Sequence, residues 1–422
     1  MWSIRWCIHV NTYTTADIFN TVVQMLSVIL NKLDLLIQSV FEKIEDKDTY
    51  EIYSNMLYCC SSKYVNRNQE NSKKCVFLGG EIDMPKRYKN SFLFFNTTVK
   101  MCAYLDKPLT DKRNDSRDFE AEKLYVEAST MQGWRRQMED THIPGERVMI
   151  TGADGTLDSI GLLVAVFDGH GGDMASIYSQ EHFLSMFTKC LNTGKFDTSN
   201  SISLGEALNQ TFLLLDSEMA KLPKMKSGED HSGTTAIVGL ITATHCIVAN
   251  AGDSRGILST NQTVIPMSFD HKPTDEIETA RIENAGGFVS SRRVNGDLAL
   301  SRALGDYSYK NRQDLDATKQ QVIAKPDIKI HTRQSEDEFL LLCCDGIWDV
   351  MDNETSGQFM REQLACLQDS EQTCCSNLLD TCLEKGSHDN MSAVVVIMPG
   401  CCETRTETAV PYHALPTPPT ST

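Results

Sequence analysis

Residues 162–176 read LLVAVFDGHGGDMAS, an apolar run that stops at Asp168 and enters a glycine-rich turn. A short apolar run that ends in a breaker is most simply a buried strand and its exit turn. The strand runs out on a carboxylate, followed by Gly169, His170, Gly171 and Gly172. Alone, this pattern has two readings. Either Asp168 caps the next segment and His170 fills a turn position, or the strand presents reactive groups. The rest of the chain has to decide.

Outward from this stretch, strand signals recur at 123–129, 235–241, 245–250, 255–259, 338–344 and 392–398, with 160–167 as the strand that ends at Asp168. Helix signals occupy 173–190, 203–221, 275–284 and about 354–367. In the second of these, Leu204, Leu208, Phe212, Leu215 and Met219 form an apolar stripe. The third is expected to be capped by Thr274 and stopped by Gly286 and Gly287. Strands in neighbouring pairs, such as 235–241 with 245–250 and then 255–259, favour antiparallel sheets over a parallel one. The expected fold class is α+β: a sandwich of two antiparallel sheets flanked by helices.

The chain has 422 residues and a formal net charge of −17. So acidic a chain argues against nucleic acid as a partner, which would select a basic face. It is compatible with divalent cations, which gather where carboxylates cluster. Fifteen cysteines include four adjacent pairs (59–60, 343–344, 374–375 and 401–402) but no C-x-x-C. With no secretory signal, they read as reduced thiols of a cytosolic or nuclear protein. The stretch 21–41 (TVVQMLSVILNKLDLLIQSVF) carries Lys32 and Asp34 and is amphipathic, so no membrane span is expected. Residues 1–100 carry a net charge of +2 and residues 101–422 a net of −19, which marks a different kind of segment at the start. The tail 401–422, rich in Thr and Pro from 403 onward, has little to bury and is expected to be disordered.

Several strand signals abut an acidic residue beside Gly or Asn: VFDGHGG (Asp168), NAGDSRG (Asp253), CCDGIWD (Asp345) and SHDNMSAVVVIM (Asp389). In GWRRQMEDTH, Glu139 and Asp140 follow Arg135 by four and five residues. Any single D-G is an ordinary turn signal. Four such acids against apolar strands can bring oxygen ligands from separate segments into one cleft, as Mg²⁺ and Mn²⁺ require. The chemistry this suggests is metal-assisted hydrolysis, with two ions about 4 Å apart activating a shared water.

The ordered set MQGWRRQMEDTH, FDGHGG, SGTTAIVGLI, ANAGDSRGIL, DHKP, ARIENAGGFV, RVNGDLALSRALGDYSYK, AKPDI, CCDGIWDV and SHDNMSAVVV resembles the metal-dependent (PPM, type 2C) Ser/Thr protein phosphatases. The resemblance spans about 101–400 and implies a sandwich of two antiparallel sheets with a metal cleft at one edge. It implies two Mg²⁺ or Mn²⁺ ions and attack by the water that bridges them. Asp168 would bridge the ions, with Glu139 and the Gly169 carbonyl on one and Asp345 and Asp389 on the other. Asp140 would bond metal waters, and Asp253 with Asp345 would face a weaker third position. The resemblance makes Arg135 the phosphate grip, suited by its planar fork. It makes His170 the general acid that protonates the departing Ser or Thr oxygen.

By the same resemblance the partners are phosphoSer and phosphoThr proteins, the expected state is a monomer, and 292–310 is a flap beside the cleft. Arg136 reads as a solvated charge, Cys343 and Cys344 as buried strand-end thiols, and His142 and His388 have no assigned role. Residues 1–100 form an N-terminal extension without a recognised counterpart, either a helical regulatory segment or an artefact of the gene model. Residues 101–400 would form the phosphatase domain. Met101 is followed by Cys102, so the Gly that N-myristoylation needs is missing there. The helical C-terminal domain that some animal members of that family carry is not expected after residue 400.

The alternative is a catalytically inactive scaffold or regulator of the same fold, which should have lost a metal ligand; Glu139, Asp168, Asp345 and Asp389 are all present. A metal-binding interaction module would not need the phosphate and proton-donor residues. A Cys-based phosphatase needs Arg six residues after Cys, where Cys246 has Gly252. The G-N-H-E block of the other metallophosphatases is absent.

Overall fold

The computed structural model describes residues 104–152, 155–366 and 373–403, all within a compact unit spanning 103–422. The expectations for 1–100 and for the tail beyond 403 lie outside the described residues.

Two antiparallel sheets are stacked. One has six strands in the order β1 (Tyr104–Phe119), β2 (Leu124–Arg135), β16 (Met391–Ile397), β15 (Asp337–Cys343), β9 (Arg255–Thr260) and β10 (Thr263–Pro266). The other has five: β14 (Asp327–Thr332), β8 (His245–Ala251), β7 (Ala236–Ile241), β4 (Leu157–Phe167) and β3 (Thr141–Thr151). A small third sheet joins β13 (Leu304–Gly305), β6 (Gly233–Thr234) and β5 (Gly169–His170). A two-residue-per-arm hairpin pairs β11 (Val289–Ser290), just before the stretch 292–310, with β12 (Arg293–Val294) inside it.

The apolar run before Asp168 is unbroken because β4 is buried on both faces. Leu162, Val164 and Val166 point between the sheets, where they meet Ile237, Val248, Leu340 and Val394. Leu163, Ala165 and Phe167 point outward under helices α1 (Met174–Leu191) and α2 (Ser201–Met219), against Phe183, Leu208 and Phe212. The period of two along a strand divides one run between two cores. All five predicted stripe residues of α2 are buried, and Asn200 caps the helix by accepting from the Ile202 and Ser203 amides. Pro223 opens the short α3 (Pro223–Ser227). On the far side of the six-stranded sheet, α6 (Asn353–Cys366) and α7 (Cys374–Glu384) cover Phe339, Leu341 and Val395. The layers are thus helix, sheet, sheet, helix.

Two local expectations are corrected. Strands 245–251 and 255–260 do not pair: β8 belongs to the five-stranded sheet and β9 pairs with β15 in the other. The turn between them carries the chain across the sandwich. Thr274 does not cap α4 (Glu276–Asn284); Asp275 occupies that position, and its carboxylate turns back to the Lys272 amide at 2.9 Å.

Candidate active site

The sandwich gathers acids where strands from both sheets end. Asp168 leaves β4, with its amide donating to Thr235 Oγ1 at 3.3 Å and its carbonyl accepting from the Thr235 amide at 2.9 Å. Thr235 Oγ1 is itself bonded to Ser254 Oγ at 2.7 Å, tying Asp168 to the β8–β9 turn that holds Asp253. Asp345 opens α5 (Asp345–Trp348) directly after β15. One carboxylate oxygen from each of Asp168, Asp253 and Asp345 lies within 4.8 Å of the others.

Burial and like charge act together on these groups. Asp168 and Asp345 are both raised well above the ordinary carboxylate range. Withdrawal from water is the main cause; Asp140, Asp345, Asp253 and Asp389 add to it for Asp168, and Asp253, Asp389 and Asp349 for Asp345. Asp140 is pushed up to about 7 by burial, with the Asp389 charge adding to it against the hydrogen bond from Ser392 Oγ at 2.7 Å. Its other oxygen, Oδ1, is buried without a hydrogen-bond partner.

Such a site fits a hard divalent cation. The donors are all oxygens, one buried carboxylate oxygen lacks a partner, and the repulsion among the acids is what a bound ion would relieve. Gly169 adds a cradle: a β-carbon there would strike the Glu139 carbonyl. The Glu139 amide donates to Asn390 Oδ1 at 2.9 Å, which links the β2–β3 loop to the Asp389 turn.

Asp389 is held differently from Asp253. Arg135 Nη2 donates to its Oδ2 at 2.5 Å, and the Asn390 amide donates to its Oδ1 at 2.7 Å. Arg135 and Asp389 meet because β2 and β16 are neighbours, in register at Met131 and Met391. His170 Nε2 lies 2.7 Å from Asp306 Oδ2. Burial alone would lower the His170 pKa, but the charge and hydrogen bond of Asp306, with Asp253 and Glu139, outweigh it and raise it. Arg136 is exposed, and Cys343 and Cys344 are buried, as expected. His142 is buried against Asp115 at 3.0 Å, and His388 stacks near Tyr104 and Trp134.

Four contributors escaped the sequence reading. Lys272, in DHKP, donates to Asp253 Oδ2 at 2.5 Å. Ser392 and Asn390 brace Asp140 and Glu139. Asp306 stands in LGDYSYK, a G-D turn of the kind that marked the other acids, but it follows no long apolar strand.

The protein phosphatase 2C family profile matches residues 125–391, a span that contains Glu139, Asp140, Asp168, Asp253, Asp345 and Asp389. The chain belongs to the protein phosphatase 2C family. The reading of its motifs as those of a metal-dependent serine/threonine protein phosphatase is thereby borne out at the level of the family. Among type 2C relatives, human protein phosphatase 1A is 40% identical over 301 residues, covering 71% of this chain and 76% of its own. Mouse protein phosphatase 1B is 40% identical over 302 residues, covering 70% and 75%. A crystal structure of a phosphatase from Toxoplasma gondii superposes with a TM-score of 0.56 at 24% identity, over 69% of this chain and 96% of that one. A serine-threonine phosphatase 2C from the same organism gives 0.52 at 18% identity, over 70% and 98%. These superpositions establish the α+β type 2C fold. Among the described residues, no helix of this family member is long and apolar enough to cross a membrane.

Proposed function

We propose that this chain hydrolyses phosphoserine and phosphothreonine in protein substrates, with Mg²⁺ or Mn²⁺ held by Asp168, Glu139, the Gly169 carbonyl, Asp345 and Asp389, and with Asp253 beside them. The observation that carries the reading is the meeting of Asp168, Asp253 and Asp345 within 4.8 Å, inside a chain of the type 2C family. When bound, the ions supply charge neutralisation at the phosphate and acidify the attacking water.

The residues of the chain do the rest. Arg135 binds the phosphate oxygens through guanidinium N–H groups not used by Asp389 and orients the group for in-line attack. Asp140 accepts hydrogen bonds from water through its unpartnered Oδ1. His170 donates a proton to the Ser or Thr oxygen as its bond to phosphorus breaks, because an alkoxide leaves poorly without one. A cytosolic or nuclear address is consistent with the buried free thiols, from Cys190 to Cys401.

The test is phosphate release from a phosphothreonine peptide with and without Mn²⁺, beside an Asp345→Asn variant. Release that requires the ion and collapses in the variant supports the reading. A folded, Mn²⁺-binding chain that releases no phosphate points instead to a scaffold or regulator of the same fold.

A further inference from the structure

We infer that Asp306 is a positioning residue for His170, and that the two act as one unit in releasing the Ser or Thr oxygen; this rests on the reading of His170 as the proton donor. Three separate segments converge to make the pair. In the small sheet, His170 of β5 and Gly305 of β13 both align with Gly233 of β6, one on each side. Gly233 has no side chain, and the Asp306 carboxylate and the His170 ring meet over its α-carbon. A β-carbon on Gly233 would collide with Asp306 Oδ2 and with His170 Nε2. The site requires glycine here for reasons of space.

Asp306 itself sits in the left-handed region, at φ +54°. An L-residue takes up that conformation at a cost, though Asp and Asn tolerate it better than most. The surrounding contacts hold it there. The Gly305 amide donates to Asp216 Oδ1 at 2.8 Å, Tyr307 Oη donates to the Asp216 carbonyl at 2.7 Å, and Lys310 Nζ donates to Asp216 Oδ1 at 2.8 Å. Helix α2 therefore anchors the segment on both sides of Asp306. The carboxylate is buried, at 4% exposure, and it faces the His170 ring.

A buried carboxylate facing one imidazole nitrogen fixes the ring orientation and favours a proton on that nitrogen. With Nε2 turned to Asp306, Nδ1 is the nitrogen left to serve the leaving group. In the reaction, the water oxygen forms the new P–O bond and the bond to the Ser or Thr oxygen breaks. That oxygen takes the proton from Nδ1. One water proton stays on the phosphate, the other passes to solvent, and the ring regains a proton from solvent.

The experiment compares a phosphothreonine peptide with p-nitrophenyl phosphate, whose aryl leaving group departs without a proton, in the full chain with saturating Mn²⁺. Asp306→Asn, which suits the left-handed backbone, is expected to lower kcat on the peptide by roughly 10- to 100-fold while costing less than about threefold on the aryl ester. Gly233→Ala, which forces ring and carboxylate apart, should show the same selectivity and serves if Asp306→Asn does not fold. In an His170→Ala background, Asp306→Asn should have no further effect on the peptide. Equal losses on both substrates, no loss on either, or full additivity with His170→Ala would overturn the inference. If His170→Ala itself shows no preference for the aryl ester, the proton-donor reading fails as well. If it does and Asp306→Asn does not, only the positioning role fails.

Discussion

Gly169 lies so close to the backbone carbonyl of Glu139 that no side chain fits between them, and Ser176 Oγ donates to that same carbonyl at 2.5 Å. The exit of β4, the β2–β3 loop and the start of α1 are thereby locked at one point. Gly169→Ala should press a methyl group onto backbone that cannot yield. We expect a stability loss of about 1–3 kcal/mol, with a higher Mn²⁺ concentration for half-maximal activity. Urea unfolding and a metal titration check both. A variant unchanged in both would show that the contact does not position the site.

The raised Asp140 pKa has a definite sign. The unfolded carboxyl titrates near 3.8 and the folded one at about 7, so within that window the folded chain holds a proton that the unfolded chain has lost. Metal-free, its contribution to stability is greatest at the low end and is lost as pH rises through the folded value. Relative to Asp140→Asn, the metal-free wild type should lose up to about 1.4 kcal/mol per pH unit across the window. Paired urea melts at several pH values measure the difference. A flat or rising difference would contradict a buried carboxyl with a raised pKa.

Arg135 pairs with Asp389 through Nη2 while its side chain remains 44% exposed. Arg135→Lys replaces a planar fork with a point charge. KM for a phosphopeptide should rise about tenfold, equivalent to about 1.4 kcal/mol of lost phosphate binding, with a smaller change in kcat. Steady-state kinetics at fixed Mn²⁺ separate the two. An unchanged KM would remove Arg135 from the phosphate site.

Glu278 is 2% exposed and accepts from Arg302 Nη2 at 2.9 Å and from Arg281 Nη1 at 2.7 Å. Arg281 also donates to the Ser301 carbonyl at 2.5 Å, so α4 holds the segment that leads to Asp306. Glu278→Ala would leave two guanidinium groups largely buried without their shared carboxylate. A loss of about 3–5 kcal/mol is expected in urea unfolding. A loss under about 1 kcal/mol would mean that the arginines find other partners.

How much of the fold is legible in the chain depends on burial. The seven strands read from sequence are the seven interior strands of the two sheets, β2, β16, β15, β9, β8, β7 and β4; the four missed, β1, β10, β14 and β3, are the edges. An interior strand buries both faces and reads as largely apolar, whereas an edge strand forms by pairing and can be as charged as YLDKPLTDKRNDSRDF. Helix α7 was also missed, because cysteines (Cys374, Cys375 and Cys382) supply part of its buried face. The acids were legible for a related reason: each ends a strand or begins a turn, so Asp168, Asp253, Asp345 and Asp389 are marked by the apolar residues beside them. The sequence by itself thus determined the layered α+β fold, the family and the carboxylates. Only the tertiary structure decided that the 252–254 turn crosses from one sheet to the other, that Asp389 is held by Arg135, and that Asp306 meets His170 over Gly233. The two pairs join residues 254 and 136 positions apart. Local patterns record what a residue buries; which distant residue it meets is set by strand order, and that order exists only in the folded chain.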